Sequence, residues 1–123
     1  MSATQPCDTI RLNNFFKMAW KNTLQRGSVR YIVFKENKRW YAVGLEFNIV
    51  EAGDDPREVL LSLFEAIQGY VNSARKIKAR PHILNQVSDS EYEGLWRTLH
   101  SERKSSRDIS SVYTFGQRAL AAA

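Results

Sequence analysis

The sequence predicts an α+β fold in which a small antiparallel sheet of three to four strands carries one main helix on one face, in the order β-β-β-α-β, with a short C-terminal helix added. Two runs at 29–35 and 40–47 are rich in β-branched and aromatic residues and flank a short polar turn, which is typical of a β-hairpin. Between positions 56 and 74, apolar residues recur at steps of three and four, which predicts an amphipathic helix. The 123 residues fit one domain.

The hairpin is expected to turn at Asn37 and Lys38, and a two-residue loop there pairs Phe34 with Tyr41. Successive side chains of a strand point to opposite faces, so Phe34 and Tyr41 share one face of the ribbon. The residues expected on the other face are Tyr31, Val33, Trp40 and Ala42. A short third strand is expected at 49–52, directly before Gly53.

Asp55 and Pro56 predict where the main helix begins. Asp55 suits the N-cap, whose side chain accepts a hydrogen bond from an amide of the first turn, and Pro56 suits the first helical position. Glu58 stands where a capping-box residue reaches back to the cap amide. The expected core stripe of this helix consists of Val59, Leu60, Leu63, Phe64, Ile67, Tyr70, Val71 and Ala74.

The main helix covers one face of the sheet, which leaves the apolar face around Tyr31 and Trp40 in need of a cover. Three covers are open: a second copy of the chain, which would make a homodimer, a different protein, or the N-terminal segment 1–28 folded back as a lid. The aromatic residues of that lid would be Phe15, Phe16 and Trp20.

The α/β domain is expected to span 29–87, with a fourth short strand or an extended connection at 83–87. A second capping signal at Ser88 predicts a short helix over 88–100. Its apolar face consists of Tyr92, Leu95, Trp96 and Leu99. Serine and charged residues dominate 101–111, so the segment 101–123 is predicted to be a flexible tail.

The chain carries a formal net charge of +5. Its clearest basic cluster, at the end of the main helix, consists of Arg75, Lys76, Lys78 and Arg80. This cluster is either a solvated edge or a surface that contacts phosphates, with Tyr70 or Trp40 as stacking faces. Cys7 is the single cysteine, so no internal disulfide forms, and neither a signal peptide nor a membrane-spanning run is apparent. The expected compartment is the cytoplasm.

No catalytic, cofactor-binding or metal-binding constellation is apparent in the sequence. His82 and His100 are far apart and Cys7 is remote from both, whereas a metal site needs clustered ligands. Neither a nucleophile elbow nor a phosphate-binding loop occurs. A nuclease of the ribonuclease H kind needs acids that converge on divalent cations, and the centre of the first strand, 31–34, carries none. The sequence therefore predicts a protein that is not an enzyme.

Three segments together resemble a known family. Tyr-Ile-Val-Phe at 31–34, Trp-Tyr-Ala-Val at 40–43, and Ile-Val-Glu-Ala-Gly-Asp-Asp-Pro-Arg-Glu-Val at 49–59 are similar to HicB-like antitoxin domains over about residues 29–80. The resemblance implies a partial ribonuclease H-like fold without nuclease chemistry, homodimers or larger assemblies, and occlusion of a small messenger-RNA-cleaving toxin of the HicA kind. Many members also carry a DNA-binding domain, and 81–123 shows no such module.

The hypothesis that follows is a protein-binding module, an antitoxin that caps a basic toxin. Acidic residues at Glu51, Asp54, Asp55 and Glu58 would attract that partner electrostatically. The expected apolar anchors are Tyr31, Val33 and Trp40 on the open face, or Trp96 on the second helix. The alternative is an RNA- or DNA-binding accessory protein that uses the cluster from Arg75 to Arg80. An enzyme of unrecognised type is the third hypothesis, without any residues to carry it.

Overall fold

The structure of the protein is a computed structural model, which describes residues 20–101 and 111–120. The strands are β1 (Ser28–Glu36), β2 (Arg39–Gly44), β3 (Ile49–Gly53) and β4 (Val112–Ala119), and the helices are α1 (Pro56–Ile77) and α2 (Ser90–Leu99). Short 3-10 turns occupy Leu45–Phe47 and Pro81–Leu84. The strands form a four-stranded sheet in the order β3-β2-β1-β4, and all neighbours are antiparallel. The predicted α+β class is therefore confirmed.

The hairpin of β1 and β2 has the predicted register. Phe34 pairs with Tyr41 and Lys35 with Trp40, so the two faces of the ribbon are divided as expected. Asn37 and Lys38 both have positive φ, at 52° and 68°. Two consecutive left-handed residues make the tight turn whose twist matches that of the flanking strands, which explains why a polar loop of two residues suffices.

The start of α1 is as predicted at two of its three positions. The side chain of Asp55 accepts a hydrogen bond from the amide of Arg57 at 2.9 Å, and Pro56 occupies the first turn. The predicted capping box is wrong, because Glu58 is exposed and makes no hydrogen bond to the Asp55 amide in the part of the chain that the structure describes. The Asp55 side chain therefore caps the helix without a returning hydrogen bond from Glu58.

Five residues of the predicted stripe of α1 are buried and the other three are partly buried, but the stripe packs on the face of the sheet opposite to the expected one. Val33 and Ala42, which were expected on an open face, are 0% exposed and pack against α1. Both faces of the hairpin are apolar, so periodicity alone cannot choose between them. The helix packs over Gly44, because a Cβ built there would lie 3.5 Å from side-chain atoms of both Leu63 and Ile67, an ordinary contact distance.

The second face of the sheet is covered by α2. Its buried residues are Ile32, Val43, Leu45 and Leu99, with Tyr92, Leu95 and Trp96 packed around them. The chain thus supplies its own cover, which removes the need for a second protein on this face. Of the proposed lid, Phe15 and Phe16 lie outside the described residues, and Trp20 is 42% exposed.

The fourth strand comes from a part of the chain that was predicted to be a tail. β4 pairs antiparallel with β1 over its whole length, from Ala119 opposite Ser28 to Val112 opposite Phe34. Of the two alternatives for 83–87, a fourth strand or a connection, the strand is not formed, because Pro81–Leu84 is a 3-10 turn and 85–89 carry no strand. The order along the chain is therefore β-β-β-α-α-β, because α2 is placed on the second face before the chain returns to the sheet.

A buried carboxylate ties the N-terminal residues, the sheet and α2 together. Glu46 is 6% exposed and accepts hydrogen bonds from the backbone amide of Arg30 at 2.8 Å, from its Nε at 2.7 Å and from Lys21 Nζ at 2.6 Å. The two remaining guanidinium nitrogens of Arg30 donate to both carboxylate oxygens of Glu93 on α2, at 2.9 and 2.8 Å. Residues 20–27 thus belong to the folded domain.

The ion pairs lower the pKa values of both carboxylates. Burial by itself would raise the pKa of Glu46, but the hydrogen bonds from Lys21 and Arg30 outweigh it and hold that pKa below its ordinary value of 4.5. For Glu93, the hydrogen bond from Arg30 is the main cause of a pKa that is also lowered. Both groups therefore stabilise the fold as anions, and their contribution is lost as the pH falls through their lowered folded-state values.

We expect Glu46→Gln to lower the free energy of unfolding by about 2 kcal/mol or more at neutral pH, because Arg30 and Lys21 lose their shared anion. Urea unfolding followed by circular dichroism measures this loss. Glu65→Gln, on the exposed side of α1, is the matched control, with an expected change of less than about 0.5 kcal/mol. The difference in free energy of unfolding between wild type and Glu46→Gln should become smaller as the pH falls below about 4.5, because Glu46 becomes protonated. A difference that is unchanged down to pH 3 would contradict the lowered pKa of Glu46.

A pair of variants tests the cap of α1. Asp55→Ala should cost about 1 kcal/mol of folding free energy, because the Arg57 amide loses its acceptor. Glu58→Ala should cost less than about 0.5 kcal/mol, because the capping box is not formed. Thermal and urea unfolding of both variants give the comparison, and equal losses would show that Glu58 does take part in the cap.

Candidate partner-binding site

The residues expected to anchor a partner on an open sheet face lie under α1 instead. Val33 belongs to the core, and the ring of Tyr31 packs edge to face on Phe64 at 5.2 Å. Trp40 is partly buried, with its ring 5.9 Å from that of Tyr113. Within residues 20–101 and 111–120 the predicted open apolar face is therefore covered by α1, with Val33 fully buried and Tyr31 and Trp40 partly buried.

Trp96, the other predicted anchor, is also used within the fold. Its ring centroid lies 6.0 Å from that of Phe115 on β4 and 4.4 Å from the ring of His100. The guanidinium of Arg30 lies 5.6 Å from the same ring centroid. Trp96 therefore holds α2 on the sheet. Because it is only partly buried, part of its side chain also remains accessible to solvent.

The predicted acidic residues remain on the surface, at the junction of β3 and α1. Asp54 and Glu58 are exposed, whereas Glu51 and Asp55 are partly buried. We call these four residues the acidic corner. Within residues 20–101 and 111–120 none of them forms an ion pair with a lysine or arginine, although Arg57 lies among them in the sequence. Their negative charge is therefore directed to the solvent and to whatever approaches this corner.

Beside the acidic corner runs an unpaired strand edge. Successive residues of a strand direct their backbone N–H and C=O groups to opposite sides. The amide of Leu120 donates a hydrogen bond to the carbonyl of Gly27, so the backbone groups of these two residues face each other across β1 and β4. This contact sets which residues of each neighbouring strand point inward. Carried through the register of β1, β2 and β3, this alternation points the backbone groups of Val50 and Ala52 away from β2. Among the described residues no strand pairs with that side of β3.

An apolar side chain stands on the same edge. Val50 is 45% exposed, in the middle of the five-residue strand β3. The edge therefore offers backbone donors and acceptors, an exposed apolar side chain and uncompensated carboxylates within one short stretch. Neither the open edge nor Val50 was predicted. Which strand lies at the edge depends on the strand order, and this order cannot be read from the sequence. The strand itself, with Val50 between Ile49 and Glu51, is predicted.

The predicted basic cluster lies around the end of α1, but its members differ in role. Lys76, Lys78 and Arg80 are exposed, whereas Arg75 donates a hydrogen bond from Nε to the carbonyl of Leu24 at 2.8 Å. Tyr70, which was considered as a stacking face for bases, packs its ring 4.6 Å from that of Phe47. The cluster therefore offers positive charge to a phosphate without the stacking face that was expected from Tyr70.

A cavity of about 480 Å³ lies between the end of β1 and α2. Phe34, Tyr92 and Leu95 supply its apolar walls, and Glu36 and Glu91 stand at it as well. Burial is the main reason that the pKa of Tyr92 is raised, and the neighbouring carboxylates add to the effect. Among the residues that the structure describes, the lining of this cavity contains neither a histidine nor a cysteine.

Two further features of the described residues bear on function. No group of three or more histidine, cysteine, aspartate or glutamate side chains is arranged to hold a metal ion in this part of the chain. Among the same residues, no helix combines the length and the apolar character that crossing a bilayer requires.

Comparison with known proteins adds no relative to this description. No protein-family model, no curated protein and no solved structure matches the chain.

Proposed function

We propose that the chain is a non-catalytic protein-binding module that acts in the cytoplasm as the antitoxin of a type II toxin–antitoxin pair. The observation that carries the proposal is the acidic corner, whose carboxylates have no cationic partner within the described residues, beside the open edge of β3. The resemblance of residues 29–80 to HicB-like antitoxins supports the same function. The partner is a small, basic, messenger-RNA-cleaving protein.

Each part of this surface has a separate role in binding. A toxin that binds RNA presents a basic face, and the carboxylates of Glu51, Asp54 and Glu58 steer that face towards β3 and raise the association rate. An extended segment of the toxin then pairs with the outward backbone groups of Val50 and Ala52, as in other cases of strand addition. Binding over the basic face occludes the RNA site, so inhibition needs no chemistry from the antitoxin.

The charge requirement is tested with the combined variant Glu51→Gln, Asp54→Asn, Glu58→Gln. Its partner is the product of a short reading frame adjoining the gene, and surface plasmon resonance measures association at low and high salt. We expect the association rate to fall by about 10-fold or more at low salt, with a smaller loss at high salt. Asp55 is left unchanged because it caps α1.

The matched control for that variant is Glu36→Gln, Glu65→Gln, Glu91→Gln, which removes the same charge from places away from β3. It should associate at nearly the wild-type rate. Equal slowing by both variants would show a general charge effect and would count against the acidic corner. Failure of the wild-type protein to bind the adjoining product, or to restore growth when that product is expressed, would refute the antitoxin function.

The strand edge is tested separately with Ala52→Pro. Because the Ala52 amide points away from β2, proline removes an outward donor without breaking a hydrogen bond inside the sheet. Toxin affinity should fall by about 10-fold or more, whereas the control Ala52→Val, which keeps the amide, should bind as wild type. Unchanged affinity of the proline variant would exclude pairing at β3.

Nucleic-acid binding is the alternative function, and the exposed positions of Lys76, Lys78 and Arg80 are the observation in its favour. Contacts of this kind are independent of sequence and weaken steeply with salt. The combined variant Lys76→Gln, Lys78→Gln, Arg80→Gln should then lose retention on RNA or DNA at low salt. Equal retention of variant and wild type, or none in either, would eliminate this alternative.

A further inference from the structure

The C-terminal end of α1 lies in a surface of positive charge. Two parts of the chain supply its exposed cations, which we call the basic pole: Arg26, Lys76, Lys78 and Arg80. Arg75 joins the two parts, because its Nε donates a hydrogen bond to the carbonyl of Leu24 at 2.8 Å. The chain then turns back at the end of the helix, where the amide of Ala79 donates to the carbonyl of Ala74 at 2.9 Å. The fold therefore adds Arg26 to the basic cluster predicted from the sequence.

The positive charge of the basic pole is not balanced by the carboxylates around it. Neither 20–28 nor 74–88 contains an acidic residue. Glu46 adjoins both segments, but it is buried and already forms two ion pairs. Asp89 follows the second segment, and its side chain accepts the hydrogen bond that caps α2. In the part of the chain that the structure describes, the four cations form no ion pair, so this surface attracts anions.

Large apolar side chains reach the solvent in the same region. Ile77, the last residue of α1, is 74% exposed and stands between two of the lysines. Trp20 is 42% exposed and Val87 is 89% exposed. The residue after Trp20 and the residue before Val87 both donate hydrogen bonds to Glu46, at 2.6 and 2.8 Å. The segment 20–26 connects this pair to the end of α1, so the exposed apolar groups and the cations belong to one end of the molecule.

We propose that the basic pole docks on the surface of a bilayer that contains anionic phospholipids. Each lysine or arginine near such a surface strengthens binding by about 5-fold. Ile77 and Val87 enter the boundary between headgroups and acyl chains, where burial of an aliphatic side chain is favourable. Trp20 suits the same depth, because tryptophan is enriched at membrane–water interfaces.

The apolar side chains favour a bilayer over a nucleic acid as the anionic partner. A phosphate backbone would contact the cations alone, and stacking on bases requires an exposed aromatic ring. Tyr70 is packed on Phe47, and of the three exposed apolar residues only Trp20 has a ring. Exposed aliphatic side chains such as Ile77 and Val87 gain from burial in a bilayer and gain nothing from a phosphate backbone.

The charge distribution along α1 sets the orientation of the docked protein. The helix has 22 residues and is therefore about 33 Å long. The acidic corner lies at its first residues and the basic pole at its last, so an anionic surface attracts one end and repels the other. Docking by the basic pole therefore directs the acidic corner away from the bilayer, where a protein partner can reach it.

Co-sedimentation of the full chain with vesicles tests the proposal. On vesicles of phosphatidylcholine and phosphatidylglycerol in equal parts, we expect binding at low salt, and binding about 10-fold or more weaker on phosphatidylcholine alone. Ile77→Ser keeps every charge and should lower the partition coefficient by about 10-fold, because an aliphatic anchor is lost. The matched control is Leu61→Ser, which removes a 63% exposed leucine near the other end of α1 and should bind as the wild type.

Absence of wild-type binding to the mixed vesicles, or equal binding by Ile77→Ser and the wild type, would overturn the proposal. Retention on RNA separates lipid from nucleic acid as the partner. The combined variant Lys76→Gln, Lys78→Gln, Arg80→Gln should lose about 100-fold in vesicle binding, whereas Ile77→Ser should not change retention on RNA. A wild-type protein that binds RNA but not vesicles would show that the basic pole is a nucleic-acid surface and would refute docking on a bilayer.

A fluorescent label reports which end of the molecule meets the bilayer. In a Cys7→Ser background, Ile77→Cys and Leu61→Cys are each labelled with a nitrobenzoxadiazole group, whose emission shifts to the blue in an apolar environment. The mixed vesicles should shift the emission of the label at 77 and leave that at 61 unchanged. Equal responses at both positions would contradict docking by the basic pole. None of these measurements involves the toxin, so their outcome does not depend on the proposed antitoxin function.

Discussion

Burial of the apolar stripe of α1 on the Ala42 and Gly44 side of the sheet determines which surfaces are left for other molecules. Once the helix occupies that face, α2 takes the other, with Leu99 in its core and Trp96 packed on β4. A small sheet with both faces covered keeps only its edges and its helix surfaces for binding. The surface proposed for partner binding therefore lies at a strand edge, whereas the sequence predicts an open sheet face.

The ion-pair network of Glu46, Arg30 and Glu93 gives the second layer its fixed position. α2 has ten residues and would be marginal in isolation, so it must be held by tertiary contacts. Arg30 donates to carboxylates on both sides, one in the turn after β2 and one on α2, and its guanidinium lies 5.6 Å from the Trp96 ring centroid. Charge pairing and aromatic packing thus act on the same short helix, which explains how a helix of this length covers a face.

The features that depend on neighbouring residues could be predicted from the sequence. The hairpin register followed from a two-residue loop at Asn37 and Lys38, and the start of α1 from Asp55 and Pro56. The stripe of α1 followed from its period. In each case the physical cause lies within a few residues of its effect, so the local sequence contains enough information to identify the element.

The features that depend on distant residues could not be predicted in the same way. Which face α1 covers could not be predicted from the hairpin, because both of its faces carry apolar residues that are buried in the fold, Val33 and Ala42 on one and Ile32 and Val43 on the other. β4 was missed because a serine-rich and charged run precedes it, although Val112, Thr114 and Phe115 carried a strand signal. Of the candidate site, the acidic corner could be identified by charge, whereas the edge of β3, which no described strand pairs with, follows from strand order alone.

The pairing of β1 with β4 has a consequence for how the protein is made. Ser28 and Ala119 are neighbours in the sheet but are nearly the whole described chain apart, so β1 has a single strand partner while the intervening residues leave the ribosome. Contacts of such long sequence separation cost loop-closure entropy and form slowly. Until β4 is synthesised and pairs, the edge of β1 that faces away from β2 is accessible to chaperones and to other nascent chains. Pairing of β4 with β1 ends this exposure.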